Sequence, residues 1–265
     1  MGEAIVITSG KGGVGKTTTT ANIGAALALE GKKVCVIDAD IGLRNLDIVL
    51  GLENRIVYDI VDVVTGVCRA KQALIKDKRF DNLCLLPAAQ TKDKNAVTPD
   101  QMKELIEDLK KSFDYILVDC PAGIEQGFKN AIAGANRAIV VTTPEISAVR
   151  DADRIIGLLE AAEIHDPRLI VNRLRVDMVK RGEMMNVEDI EDILAIDLIG
   201  VVPDDEEVVM STNRGEPAVF KTNSLSGSAF KNISKRIIGE EVPFLQFDVQ
   251  ENFFEKLKRA FSFGK

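Results

Sequence analysis

A chain of 265 residues that is 46% hydrophobic and 28% charged can bury a substantial α/β core, which excludes disordered, collagen-like and low-complexity classes. A formal charge of -7 argues against a surface that holds DNA mainly by neutralising phosphates. His165 is the one histidine and there is no tryptophan, so His-dependent triads and multi-His metal sites are disfavoured and the chemistry falls to Lys, Asp, Thr and backbone amides. Cys35, Cys68, Cys84 and Cys120 lack CxxC spacing, and three of them sit in apolar runs, as reduced core thiols of a cytosolic protein do. No apolar stretch of about 20 residues and no secretory pattern occurs, so neither a membrane span nor a signal peptide is expected.

Residues 4–8 form the first short β-branched run, and an Ala-rich helical pattern covers 16–30. Between them, Gly10-Lys11-Gly12-Gly13-Val14-Gly15-Lys16-Thr17 fits G-x-x-x-x-G-K-[ST]. Glycines there let successive N–H groups turn inward on phosphate oxygens, and the following helix presents its positive end to the same anion. Lys16 is then placed for the β and γ phosphates, Thr17 for Mg²⁺ and Thr18 for the α-phosphate. A ligand-free Gly-rich turn is the bland alternative, but all eight positions and both flanking elements match. The second lysine, Lys11, makes the run KGGVGKTT, which resembles the signature of the deviant Walker A, or ParA–MinD, family of ATPases. That resemblance implies that Lys11 reaches across a dimer to the partner's nucleotide and, with Lys16, offsets charge on the transferred phosphoryl group.

The next strand, 33–38, leads into Asp38 and Asp40, and the strand 115–119 ends in Asp119. Strand ends beside a phosphate loop are where Mg²⁺ chemistry belongs, although a lone strand-end Asp is often only a turn former or a cap. Asp119 fits the Walker B position. By resemblance Asp38 supports the Mg²⁺ shell with Thr17 and Asp119, and Asp40 orients the attacking water as a first-switch residue. Arg44 and Asn45, in a run that resembles the septum-determining branch of the family, are implied to lie at the dimer face; a solvated loop is the alternative. Gly123 is placed as a second-switch hinge or an ordinary turn. Further strands are expected at 83–86, 138–142, 169–172 and 198–202, and helices at 99–112, 147–162 and 187–195. Asp151 and Asp153 fall on the second of these helices, on a face that partners read or water covers. The resemblance implies that Asn172, Pro203 and Asp204, at two later strand ends, cradle the adenine. Continuously apolar runs such as YILVD imply strands buried on both faces, hence an α/β, P-loop NTPase-like, mostly parallel sheet flanked by helices over residues 1–240.

Beyond Gly239 the texture changes, and 241–251 reads as a linker. Residues 252–265 form an amphipathic pattern: Phe253, Phe254, Leu257 and Phe261 span an arc of roughly 100°, with Lys256, Lys258 and Arg259 around it. This stretch carries +3 and leaves -10 on the remainder. Such a helix either docks on its own core or lies in a membrane interface, and the basic face, Lys258 included, favours the membrane. The family resemblance then implies a Mg²⁺-dependent ATPase that dimerises with ATP and binds anionic phospholipid on the inner membrane face from the cytoplasm. It further implies recruitment of the division inhibitor MinC and control by a spatial regulator, MinE or a polar scaffold. A ParA-like partition ATPase acting on the nucleoid is the alternative; it calls for a basic body and no lipid-seeking tail. An iron–sulfur carrier of the same family needs paired ligating cysteines, and none occurs after Cys120.

Overall fold

The computed structural model describes residues 1–247. Eight strands form one sheet: β1 (Glu3–Thr8), β2 (Val34–Asp38), β3 (Ile75–Lys76), β4 (Leu83–Leu86), β5 (Tyr115–Asp119), β6 (Arg137–Thr142), β7 (Arg168–Leu174) and β8 (Leu198–Pro203). Their order is β3-β4-β2-β5-β1-β6-β7-β8, parallel throughout except for the two-residue β3, which runs antiparallel to β4. The helices are α1 (Lys16–Leu29), α2 (Leu46–Leu50), α3 (Ile60–Val64), α4 (Ala70–Ala73), α5 (Pro99–Leu109), α6 (Gln126–Ile132), α7 (Ile146–Ala161), α8 (Val176–Lys180), α9 (Val187–Leu194), α10 (Glu206–Asn213) and α11 (Leu225–Ile237).

The sheet divides the core into two apolar layers, as the runs buried on both faces anticipate. Ala4, Val6, Ile116 and Val118 face α5, α6 and α7 on one side, while Ile5, Ile7, Val36 and Leu117 face α1 and α11 on the other. Central α1 is buried almost all round and so has no polar face to show. By contrast α5 starts with a Thr98–Gln101 capping box and Pro99 in the first turn.

Each expected strand forms, with ends shifted by at most two residues, and β7 runs on to Leu174 through an irregular pairing with β8. The helix α11 was not visible in the sequence. It buries Ser226, Gly227, Ala229 and Ser234 beside Phe230 and Ile233, so its core stripe is written in small polar residues. Gly200 of β8 makes room for it, since a Cβ there would stand 2.2 Å from Ile233 Cγ1.

Residues 241–247 have no regular element, yet they lie against the body. Arg236 donates from Nε to the Val242 carbonyl and from Nη1 to the Ile199 carbonyl, and its guanidinium sits 4.1 Å from the Phe244 ring centre. Leu245 packs on the α11 layer and Phe247 on the opposite one. The expected amphipathic helix 252–265, with Phe253, Phe254, Leu257, Lys258 and Phe261, lies outside the described residues. Among the described residues no helix is long and apolar enough to cross a membrane.

Candidate functional site

The carboxyl ends of β1, β2, β5, β7 and β8 converge on the loop between β1 and α1. Gly15 caps α1 at φ 96°, a left-handed conformation that favours glycine, and a Cβ there would also meet the Asn172 amide nitrogen at 2.4 Å. No side chain caps α1, and no acidic residue stands in its first turn. The sequence thus forgoes the usual device for satisfying the first helical N–H groups, which leaves them for an anion. Lys16 is 7% exposed and donates to Ser9 Oγ at 2.9 Å, and Ser9 Oγ in turn donates to the Lys11 carbonyl at 2.7 Å. Asn172 Nδ2 donates to the Val14 carbonyl at 2.7 Å. The loop of Gly12, Gly13, Val14 and Gly15 is therefore pinned from behind by Ser9 and Asn172.

Beneath it stand two buried carboxylates, Asp38 and Asp119, directly opposite each other in the β2–β5 register. The hydroxyls of Thr17 and Thr20 hydrogen-bond Asp119, that of Thr20 at 3.2 Å. Burial, then the Asp38 charge, pushes Asp119 up to about 8 despite Lys16 and the two hydroxyls. Burial also raises Asp38 to about 6, although its oxygens accept the N–H groups of Leu46, Asp40 and Asn45 at 3.0, 3.0 and 2.9 Å. Two desolvated like charges under a phosphate loop are an arrangement that a divalent cation relieves, and Thr17 adds a hydroxyl. Mg²⁺ takes one or two carboxylates and completes its shell with phosphate oxygens and water, which is the donor set that Asp38, Asp119 and the Thr17 hydroxyl offer.

A pH dependence follows for the metal-free protein. Both carboxyls bind protons more tightly folded than unfolded, so their stabilising contribution is full below the ordinary carboxyl range and is lost as pH rises through about 6 and about 8. Melting temperature without Mg²⁺ or nucleotide should fall from pH 6 to pH 8, and Asp119→Asn should remove most of that slope. A flat or rising profile for the parent chain would contradict the raised carboxyls.

Asp40 follows β2 by two residues, and its carbonyl accepts the N–H groups of Leu43 and Arg44. Lys11 rests on the start of α7 of its own subunit, donating to Ser147 Oγ at 3.1 Å and lying 3.5 Å from the Glu145 carboxylate. Gly10 touches the same helix at Asp151, so close that a Cβ would stand 2.1 Å from its carbonyl oxygen. Asn45 is exposed. Arg44 is instead turned inward onto the buried Asp47 at 2.9 Å, because the loop must neutralise that carboxylate, and its side chain is only 19% exposed. Gly123 has a positive φ of 95° with open space around it.

Beside the loop lies a cavity of about 270 Å³ lined by Gly13, Gly15, Thr18, Asn172, Pro203, Asp204 and the α10 residues Val208, Val209, Thr212 and Asn213. The resemblance named Asn172, Pro203 and Asp204, which line this cavity, while the α10 wall had no counterpart in the sequence reading. That reading also missed Ser9, Thr20 and Asp205, whose carboxylate caps α10 and accepts from Ser224 Oγ at 2.9 Å. The spacing of Lys16 and Thr20, one helical turn apart, was the available signal for Thr20.

A phosphate loop at the head of a buried helix, paired carboxylates below and a nucleoside-sized cavity beside it describe a nucleotide site. The model of the CobQ/CobB/MinD/ParA nucleotide-binding domain matches residues 5–218. The septum site-determining protein MinD of Bacillus subtilis is 60% identical over 264 residues, 98% of each chain. The chain belongs to the MinD family. Its members are nucleotide-binding ATPases of cell division and septum placement. Among solved structures, MinD in the Aquifex aeolicus MinC:MinD complex superposes with a TM-score of 0.87 at 52% identity, covering 93% of this chain and all of that one. MinD of Pyrococcus horikoshii, solved with Mg-ADP, gives 0.83 at 33% identity over 90% of this chain and 97% of its own. These likenesses agree with the resemblance read from KGGVGKTT, and with the septum-determining branch over partition ATPases.

Proposed function

We propose that this chain is an ATP-driven switch for septum placement: ATP joins two copies, the pair holds the inner membrane face through residues 252–265 and recruits MinC, and hydrolysis returns it to the cytoplasm. The observation that carries the reading is the uncapped start of α1 with the Lys16 ammonium behind it and Asp38 and Asp119 beneath. ATP sits with its phosphates on the amides of residues 12–18 and its base in the cavity of Asn172, Pro203, Asp204 and α10. Thr17, Asp38 and Asp119 hold Mg²⁺, which supplies charge neutralisation on the phosphate oxygens. The Lys16 side chain faces the β and γ phosphates, and Asp40 orients the attacking water. Lys11 leaves Glu145 and Ser147 to meet the nucleotide of the second copy. The likeness to MinD of the Aquifex MinC:MinD complex supports MinC as partner, while MinE or a polar scaffold is the class of spatial regulator.

The membrane step follows from magnitudes. Phe253, Phe254, Leu257 and Phe261 contribute about 1 kcal/mol each on partial immersion, and Lys258 with its basic neighbours about 1 kcal/mol each near anionic lipid, against about 1 kcal/mol or more per ordered residue. One tail binds weakly; two joined in a dimer gain apparent affinity by about 10² through effective concentration. Phe261→Glu should therefore dimerise with ATP yet fail to sediment with anionic phospholipid vesicles, as should a chain ending at Gln250. Equal sedimentation of the parent chain in ATP and ADP would refute the coupling of nucleotide to membrane.

A further inference from the structure

Arg79 belongs to no motif, yet it sits where two site-bearing helices end. Its Nε and Nη2 donate to the Asp77 carboxylate at 2.9 and 2.6 Å, and the Asp77 side chain has no exposure. Nη2 also donates to the Leu50 carbonyl at 3.0 Å and Nη1 to the Gly215 carbonyl at 3.2 Å. The guanidinium lies 4.8 Å from the centre of the Phe220 ring, itself stacked on Phe80 at 5.3 Å. Leu50 is the last residue of α2, and Gly215 lies two residues beyond α10. One cation thus serves the carbonyl-rich ends of both helices, where unpaired C=O groups and the negative end of the dipole favour it.

The two helix ends also touch. Gly51 and Gly215 both have positive φ, 68° and 65°, and a Cβ on either would stand 2.7 or 2.5 Å from the other's backbone. This junction has no slack. At their opposite ends the helices reach the site: α2 begins with the Asn45 and Leu46 N–H groups on Asp38, and α10, capped by Asp205, walls the cavity. At 1.5 Å per residue, α2 and α10 are struts of about 7 and 12 Å, short enough to transmit a small displacement.

We propose that Arg79 is a positioning residue for ATP hydrolysis, joining the nucleoside cavity to the amides that orient Asp38. This rests on the reading above that the nucleoside occupies the α10 cavity. When the cavity fills, α10 settles, and through Gly215, Arg79 and Gly51 the start of α2 settles on Asp38. A lysine cannot replace the fork, because one ammonium cannot hold a carboxylate bidentately and two further carbonyls.

The test uses the full chain, its R79K variant and Gly51→Ala, which breaks the same junction with Arg79 intact. Amide hydrogen exchange of Asn45 and Leu46 is followed with and without ADP in the absence of Mg²⁺, alongside ADP affinity by calorimetry, steady-state turnover and thermal melting. In the parent chain ADP should slow exchange at both amides. In both variants ADP should still bind within about threefold, while that slowing shrinks by about fivefold or more and kcat falls about tenfold with little change in KM. The proposal is overturned if the variants keep the parent's slowing and kcat and lose only melting temperature, which is a plain structural staple. It is also overturned if ADP binds the parent without slowing the two amides. Failure of the parent to bind ADP at all would strike the cavity reading itself, and the proposal with it.

Discussion

Lys16→Ala should lower ATP affinity by about 10² or more while leaving the fold intact, since a buried charge-assisted contact to phosphate is worth about 3 kcal/mol. The ammonium is almost wholly buried, with the Ser9 hydroxyl at 2.9 Å and the Asp119 carboxyl as neighbours in the ligand-free chain. A cation kept out of water by so few groups is a cost to folding that a phosphate offsets. Its removal should therefore leave the melting temperature of the nucleotide-free protein within a few degrees of the parent or raise it. Calorimetric titration with ATP and a thermal melt separate these effects: lost binding with an unchanged melt is the expected pair. An ATP affinity within threefold of the parent would show that the loop amides alone hold the phosphates. Sedimentation with vesicles should then lose its dependence on ATP, because dimer formation lies downstream of binding.

The parts of this molecule legible in its sequence are those where one residue type has few physical alternatives. A loop that turns amides inward needs glycines, a strand buried on both faces needs YILVD or AIVVT, and a helix that starts sharply needs Thr98, Pro99 and Gln101. The hidden parts are those where tertiary contact decides. The stripe of α11 is built from Ser226, Gly227, Ala229 and Ser234, which carry no apolar period, so the helix shows only once Gly200 and its small face are seen to fit. Short α2 has too few residues for a period, and its start is fixed by the carboxylate at the end of β2, Asp38. The pairing of Arg44 with Asp47, three residues on, depends on Asp47 being buried, which the local run does not encode. The junction at Arg79 joins Leu50 to Gly215 across 165 positions, a relation no local pattern encodes.

Asp40→Ala should abolish turnover, by about 10² to 10⁴ in kcat if the carboxylate orients or deprotonates water, and should leave ATP-dependent dimerisation in place. The division of labour between Asp38 and Asp40 gives the reason. Asp38 is wholly enclosed and its oxygens are occupied by the amides of Asp40, Asn45 and Leu46, so it holds the turn and can face a cation but not a mobile water. Asp40, two residues on, is only half-buried, at the point where the chain leaves the sheet. Its carbonyl anchors the following turn through Leu43 and Arg44, and that main-chain role survives the substitution. With that turn kept, the variant should still bind ATP and dimerise, and the ATP form should stay trapped on vesicles. Gel filtration with ATP, single-turnover hydrolysis and vesicle sedimentation read the three consequences separately. A variant that stays monomeric in ATP would place Asp40 among the groups that assemble the dimer and not among those that act on water.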